Sequence, residues 1–176
     1  MRFVGIVNAA IWFGAGVFFT LVVLPGVFSS DLHVLFGDDE RFKFYAGGVA
    51  LALFKRFFVL QYVCGIVALL HLVAEKLYLS KPYPRLGTAV VLVVLGFSLV
   101  GGAVVQPKLL DYRKTMYSTT STSDQKARAT HSFAVWHATS ETANLFVMIG
   151  LLAHLVGAAK PEEPGRYSTL FPKFRG

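Results

Sequence analysis

In the last apolar stretch of this chain His137, Glu141 and Asn144 are spaced i, i+4 and i+7. On a helix of 3.6 residues per turn that spacing puts them on one face, with Ser140 beside them. An imidazole next to a carboxylate can relay protons or hold a small ligand, and the same groups can serve only to lock helices together. An ionisable group at membrane depth costs roughly 2.5–3.5 kcal/mol on insertion, so this face is expected to turn inward onto neighbouring helices. Arg56, inside an earlier apolar stretch, is the natural counter-charge. Counted in residues from the loop-side helix ends, Arg56 and Glu141 fall level, and a guanidinium–carboxylate pair is the least costly way to hold both in a low-dielectric bundle. The cluster Arg56, His137, Ser140, Glu141 and Asn144 is therefore read as a structural clasp or as a proton or ligand conduit, with Gln106 able to satisfy leftover donors. In a third reading Arg56 is only a boundary charge.

Two other histidines, His71 and His154, fall near the opposite ends of their apolar stretches and at similar depth, close to the level of Asn8. Facing histidines can ligate a haem or another tetrapyrrole axially; the alternative is imidazoles bonded to headgroups, water or backbone. His137 cannot join His71, because the two lie roughly 30 Å apart along the membrane normal. The sequence shows no nucleophile–base pair, metal-ligand spacing, phosphate loop or broken-helix repeat of the transporter type. No catalytic residue and no metal site is expected.

The elements that must position these groups are membrane helices. Of 176 residues 55% are hydrophobic and 15% charged, and several apolar runs approach or exceed the roughly 20 residues that cross a bilayer. Spans are expected at about 3–28, 46–74, 86–105 and 131–157, forming one all-α, antiparallel, up-down four-helix membrane domain over 1–157, with an extended surface tail over 158–176. The uncharged run from Phe3 to Ser30 is longer than the roughly 7–15-residue core of a signal peptide and reads as a retained first span.

Within it Asn8, Trp12, Ala15 and Phe19 share a stripe, the small residues Gly14, Ala15 and Gly16 allow close helix contact, and Pro25 with Gly26 marks the end. Span two is expected as one long helix with Lys55 snorkelling outward and Arg56 turned inward; the rival is an interfacial helix followed by a short span from Phe57. Gly101 and Gly102 offer another close contact in span three. The Ser/Thr run at 118–123 reads as a turn between two helical extensions, with Ser123 a candidate cap.

The formal charge of +7 suits loops near anionic headgroups, and no basic cluster is interleaved with aromatics as on a nucleic-acid surface. Cys64 stands alone in an apolar run, which excludes an internal disulfide and reads as a packed thiol. Outside the spans, eight Lys and Arg lie on the side of the termini and seven on the loop side; a margin of one does not decide the orientation, and the termini are expected in the cytoplasm.

Four stretches carry a resemblance: IWFGAGVFFTLVVLPGVF, AGGVALALFKRF, VVQP and FAVWHATSETANLF. They resemble the bacterial and eukaryotic family named for transmembrane protein 205, a four-span domain of unknown function, with Phe133, His137, Ser140 and Asn144 matching its most specific motif. That family looks related to copper-resistance D proteins and to a membrane protoporphyrinogen oxidase that uses haem b, a kinship of fold. Copper would favour Met and Cys ligands, whereas Met1, Met116, Met148 and Cys64 are scattered, and Lys55 is a poor match for the oxidase's intramembrane lysine. The expected function is a non-enzymatic accessory or scaffolding subunit of a larger membrane assembly, of the electron-transport or photosynthetic kind, in the inner or plasma membrane if bacterial. Its partners would be lipid and other membrane subunits. The alternatives are a tetrapyrrole-binding redox protein and a small-molecule or proton conduit.

Overall fold

The first apolar run folds as α1 (Arg2–Phe18), passes through a π-helical turn (Phe19–Val23) and continues as α2 (Leu24–Val27). Pro25 explains the widened turn, since it has no N–H and its ring crowds the carbonyl four residues back; the Leu24 N–H reaches Phe19 O, five residues back. The same device recurs where α5 (Arg85–Val100) enters a π-helical turn (Gly101–Val105) and emerges as α6 (Gln106–Tyr117), with Pro107 in the corresponding place. The helix of the third span therefore continues through Gln106 and Pro107 for about three turns, the first of the two expected helical extensions.

Between these stand α3 (Ser30–Phe36), α4 (Asp39–Leu79) and α7 (Ser123–Ala159). This computed structural model describes residues 2–37, 39–79 and 85–160; the expected tail beyond 160 lies outside the described residues. Ser29 caps α3 by accepting the Leu32 N–H at 3.4 Å, and Gly37, with φ +85°, ends it in a conformation that only glycine adopts freely. Thr122, one residue before the expected Ser123, caps α7 in a reciprocal box: its hydroxyl accepts from Gln125 N at 3.3 Å while Gln125 Oε1 accepts from Thr122 N at 2.9 Å.

Among the described residues the structure is all-α, with four helical segments long and apolar enough to cross a membrane. α1 packs on α4, α4 on α5, α5 on α7, and α7 returns to α1. The ring is the antiparallel up-down bundle, and it makes α4 and α7 diagonal partners, as are α1 and α5. α4 is one uninterrupted helix, so the interfacial-helix version of span two does not occur.

Two cores hold the bundle. The larger takes Trp12 from α1, Cys64, Ala68 and Leu72 from α4, Val91 and Val94 from α5, and Val147 and Leu151 from α7. The smaller packs Val27 against Ala46 and Ala50, with Leu24, Phe42 and Leu53 around them. Between them lies an aromatic stack in which Phe19 and Phe57 are parallel at 4.3 Å and Phe54 meets Phe19 edge-on at 5.0 Å. Gly101 and Gly102 let α5 approach the rings of Phe58 and Tyr62 on α4; a methyl group at either would collide with them.

Trp12 is the largest side chain buried within the four spans, 1% exposed, and its indole N–H donates to Gln61 Oε1 on α4. One turn earlier Asn8 donates to the Cys64 carbonyl at 2.9 Å. Of the expected stripe Asn8, Trp12, Ala15 and Phe19, all but the half-buried Ala15 are buried, and it forms the first span's face of the bundle interior. Trp12→Ala should cost about 3–5 kcal/mol, the usual toll for deleting a buried tryptophan. Ile11→Ala, one residue away and 53% exposed, should stay within about 0.5 kcal/mol. Unfolding in mixed micelles measures both, and equal losses would contradict this core.

Candidate functional site

The polar residues are best located against the bilayer. α4 has 41 residues and is about 60 Å long at 1.5 Å per residue, twice the roughly 30 Å of a hydrocarbon core. Part of it must stand outside. Its charges settle which part: Lys76 and Arg56 are about 30 Å apart along the axis, and on α7 Lys160 and Glu141 are about 28 Å apart. α1 and α5 enter from the terminal side and reach the same far level near Val23 and Gln106, about 31 Å from their starts. Two charge-bearing levels therefore bracket one apolar slab. The Lys108 ammonium lies 4.3 Å over the Trp136 ring at the loop-side level, where an amphipathic indole is at home.

This placement overturns the inward clasp. Arg56 and Glu141 are both exposed, and among the described residues no ion pair joins them. α4 and α7 are diagonal, so the two groups could meet only through the bundle centre, which the aromatic stack fills. Glu141 instead takes His137 of its own helix, Oε1 to Nδ1 3.2 Å, with side chains 69% and 42% exposed. At the boundary a charge keeps its water and headgroups, so outward orientation carries little of the midplane penalty. Ser140 donates to the His137 carbonyl at 2.7 Å within the helix. Asn144 alone of the cluster reaches across the bundle, donating to Thr20 Oγ1 at 3.0 Å, where the π-turn of the first span presents it. Gln106 donates to the Leu51 carbonyl at 3.1 Å and so ties the second π-turn to α4.

With Lys55 and Arg56 on the loop side, that side carries nine basic residues against eight, again a margin of one that does not decide the orientation.

His71 on α4 and His154 on α7 lie within electrostatic reach of each other across the same α4–α7 diagonal, toward the terminal side. The surroundings do not fit a porphyrin. The His71 ring lies against the α1 backbone at Gly5, where a methyl group would come within 2.8–3.2 Å of three ring atoms, both nitrogens included, and its Nδ1 is 3.9 Å from Glu75. Next to it the core packs Ala68, Leu72 and Leu151 into the space an axially held macrocycle would need. The purified protein is expected to show no Soret band; a band that disappears in His71→Ala would reverse this reading.

Three buried polar residues were not anticipated: Gln61, Ser98 and Arg113. Gln61 carried a signal, since an amide in the apolar run FFVLQYVCGIVALLHLV must find a partner. Ser98 returns its proton to the Val94 carbonyl of its own helix. Arg113 falls with Leu109 at i, i+4 on the one apolar face of the polar segment KLLDYRKTMY, and both are buried.

A family model described as Domain of unknown function (DUF4149) matches residues 7–118, well over half of the chain. The chain belongs to that family. The match runs from α1 through the end of α6, and the DUF4149 description assigns neither activity nor ligand. No curated protein and no solved structure matches the chain. The transmembrane protein 205 and copper-resistance D likenesses gain no support from these comparisons.

If Arg56 and Glu141 sit apart at the boundary, Arg56→Gln and Glu141→Gln should each change stability by less than about 0.5 kcal/mol and add without coupling. A double-mutant unfolding cycle measures this. A coupling above about 1 kcal/mol would restore the clasp.

Proposed function

We propose that this DUF4149 protein is a non-enzymatic accessory subunit that anchors itself by four spans and presents a rigid helical projection to a second membrane protein. The observation that supports the reading is the length of helix outside the slab. α4 from Asp39 to Arg56 and α7 from Ser123 to Glu141 each extend about 25 Å beyond the loop-side level, with α6 packed between them. This projection has its own core at Val27, Ala46 and Ala50, and its α3 is held to α4 by His33 Nε2 at 2.7 Å from Asp39. Ordering so many residues outside the bilayer is costly, and among the described residues no cluster of potential metal ligands uses the order for chemistry. A platform for a partner is the use that fits.

The conduit reading gets less support, because Glu141 pairs with His137 of its own helix and Arg56 stands on the diagonal helix. The likeness to transmembrane protein 205 rests on the quoted motifs, and it too implies a four-span domain without assigned chemistry.

Photo-crosslinking residues placed singly at Arg128 and His131, exposed on the projection, should give discrete protein adducts in native membranes, whereas the same residue at Leu145 or Ile149, exposed within the slab, should give lipid adducts. Free monomer at the projection positions, together with a monomeric species in mild detergent, would remove the proposal's support.

A further inference from the structure

Arg113 is the one cation buried in this fold among the described residues, 9% exposed, and no carboxylate reaches it. Its guanidinium lies 5.0 Å from the Phe44 ring centroid and 5.4 Å from that of Tyr117. It rests on the α4 backbone at Gly47 and Gly48, where a Cβ would stand 3.4–3.7 Å from its atoms, in ordinary contact. Stacking on rings stabilises a guanidinium but leaves its N–H donors unsatisfied. Those donors face a cleft of about 600 Å³ whose walls are mainly apolar and whose only charges are Arg113 and Lys114.

The position of the cleft limits what can fill it. It begins at Ala52, about 6 Å past Arg56 along α4, and extends through Val49 to Phe44, with Leu110 opposite. The headgroup zone of a bilayer adds about 5–8 Å on each side of the hydrocarbon, so the apolar mouth opens at headgroup level, and the guanidinium, at the height of Gly47 and Gly48, stands about 12–14 Å past Arg56, on the aqueous side of that zone. Side chains on a helix tilt toward its N-terminus, which for α6 is toward the membrane. An occupant must therefore offer an apolar part to Val49, Ala52 and Leu110 and a compact anion to Arg113. No acid lines the cleft to receive an ammonium, and of the three rings in its wall Phe44 and Tyr117 already hold Arg113 while Tyr45 stacks on Phe36, which disfavours a zwitterionic choline or ethanolamine headgroup.

We propose that this cleft holds one anionic phospholipid of the adjacent leaflet, its phosphodiester hydrogen-bonded to the Arg113 guanidinium and its glycerol and first methylenes against Val49, Ala52 and Leu110. Lys114, exposed and 3.6 Å from Asp111, supplies a second cation at the rim. The lipid gives the buried cation the counter-charge that the protein does not, and it ties α6 and α4 to the membrane surface at the base of the projection.

The full-length protein, stripped of lipid in detergent and then offered phosphatidylglycerol or phosphatidylcholine, tests this by native mass spectrometry. One phosphatidylglycerol per chain should be retained in preference to phosphatidylcholine. Arg113→Gln should lower that retention on the order of tenfold, as loss of a charge-assisted hydrogen bond does. Ala52→Trp fills the cleft from an exposed position away from the guanidinium and should lower it similarly, which decides the matter should the Arg113 variant fail to fold. Equal retention of phosphatidylcholine, unchanged retention in the variants, or displacement of the lipid by inorganic phosphate alone would each overturn the proposal.

Discussion

The hydrocarbon slab, about 30 Å thick, is the constraint from which the rest of this structure follows. All four spans must cross it, but α4 and α7 are far longer than it is, and their charges fix where it lies. Once Lys76 and Arg56 on one helix and Lys160 and Glu141 on the other are seen to stand about 30 Å apart, every exposed ionisable group on these two helices has an aqueous or headgroup environment. The interior is left to apolar packing and to a few neutral donors. Several of those donors join helices that touch: Asn8 and Trp12 tie α1 to α4, and Asn144 ties α7 to the first π-turn, while Ser98 donates within its own helix.

The two π-turns belong to the same constraint. Both stand at the loop-side level, both precede a proline, and both let a helix leave the membrane without breaking, where a freed carbonyl can find water or a side chain. Gln106 and Thr20 supply the cross-bundle hydrogen bonds at that level. Below it the helices pack through small residues and the Trp12 core. Above it a second, smaller core takes over, so the projection is an extension of the bundle and not a loose loop.

How much of this was legible in the sequence depended on which neighbour a residue answers to. The number of spans, the continuity of α4, the Asn8–Trp12–Phe19 stripe and the close approach at Gly101 and Gly102 follow from local pattern, and all are present. The inward Arg56–Glu141 pair was misread because AGGVALALF looks like membrane. Its apolar residues Ala46 and Ala50 instead pack on Val27 outside the slab, and this moved the assumed boundary by some ten residues. Depth counting also says nothing about which helices are adjacent, and here α4 and α7 are diagonal. Arg113 was hidden for a related reason. In a charged segment past Pro107 it reads as one more surface cation, and only its packing against a helix distant in sequence reveals that it is buried.

Depth measurement by paramagnetic quenching tests the central claim most directly. Nitroxide labels placed singly at positions 56, 106 and 141 of the reconstituted protein should all report the headgroup level, with a label at 66 near the bilayer centre. Labels at 56 and 141 at the depth of the one at 66 would mean that the slab has been placed wrongly, and that the projection is part of the membrane.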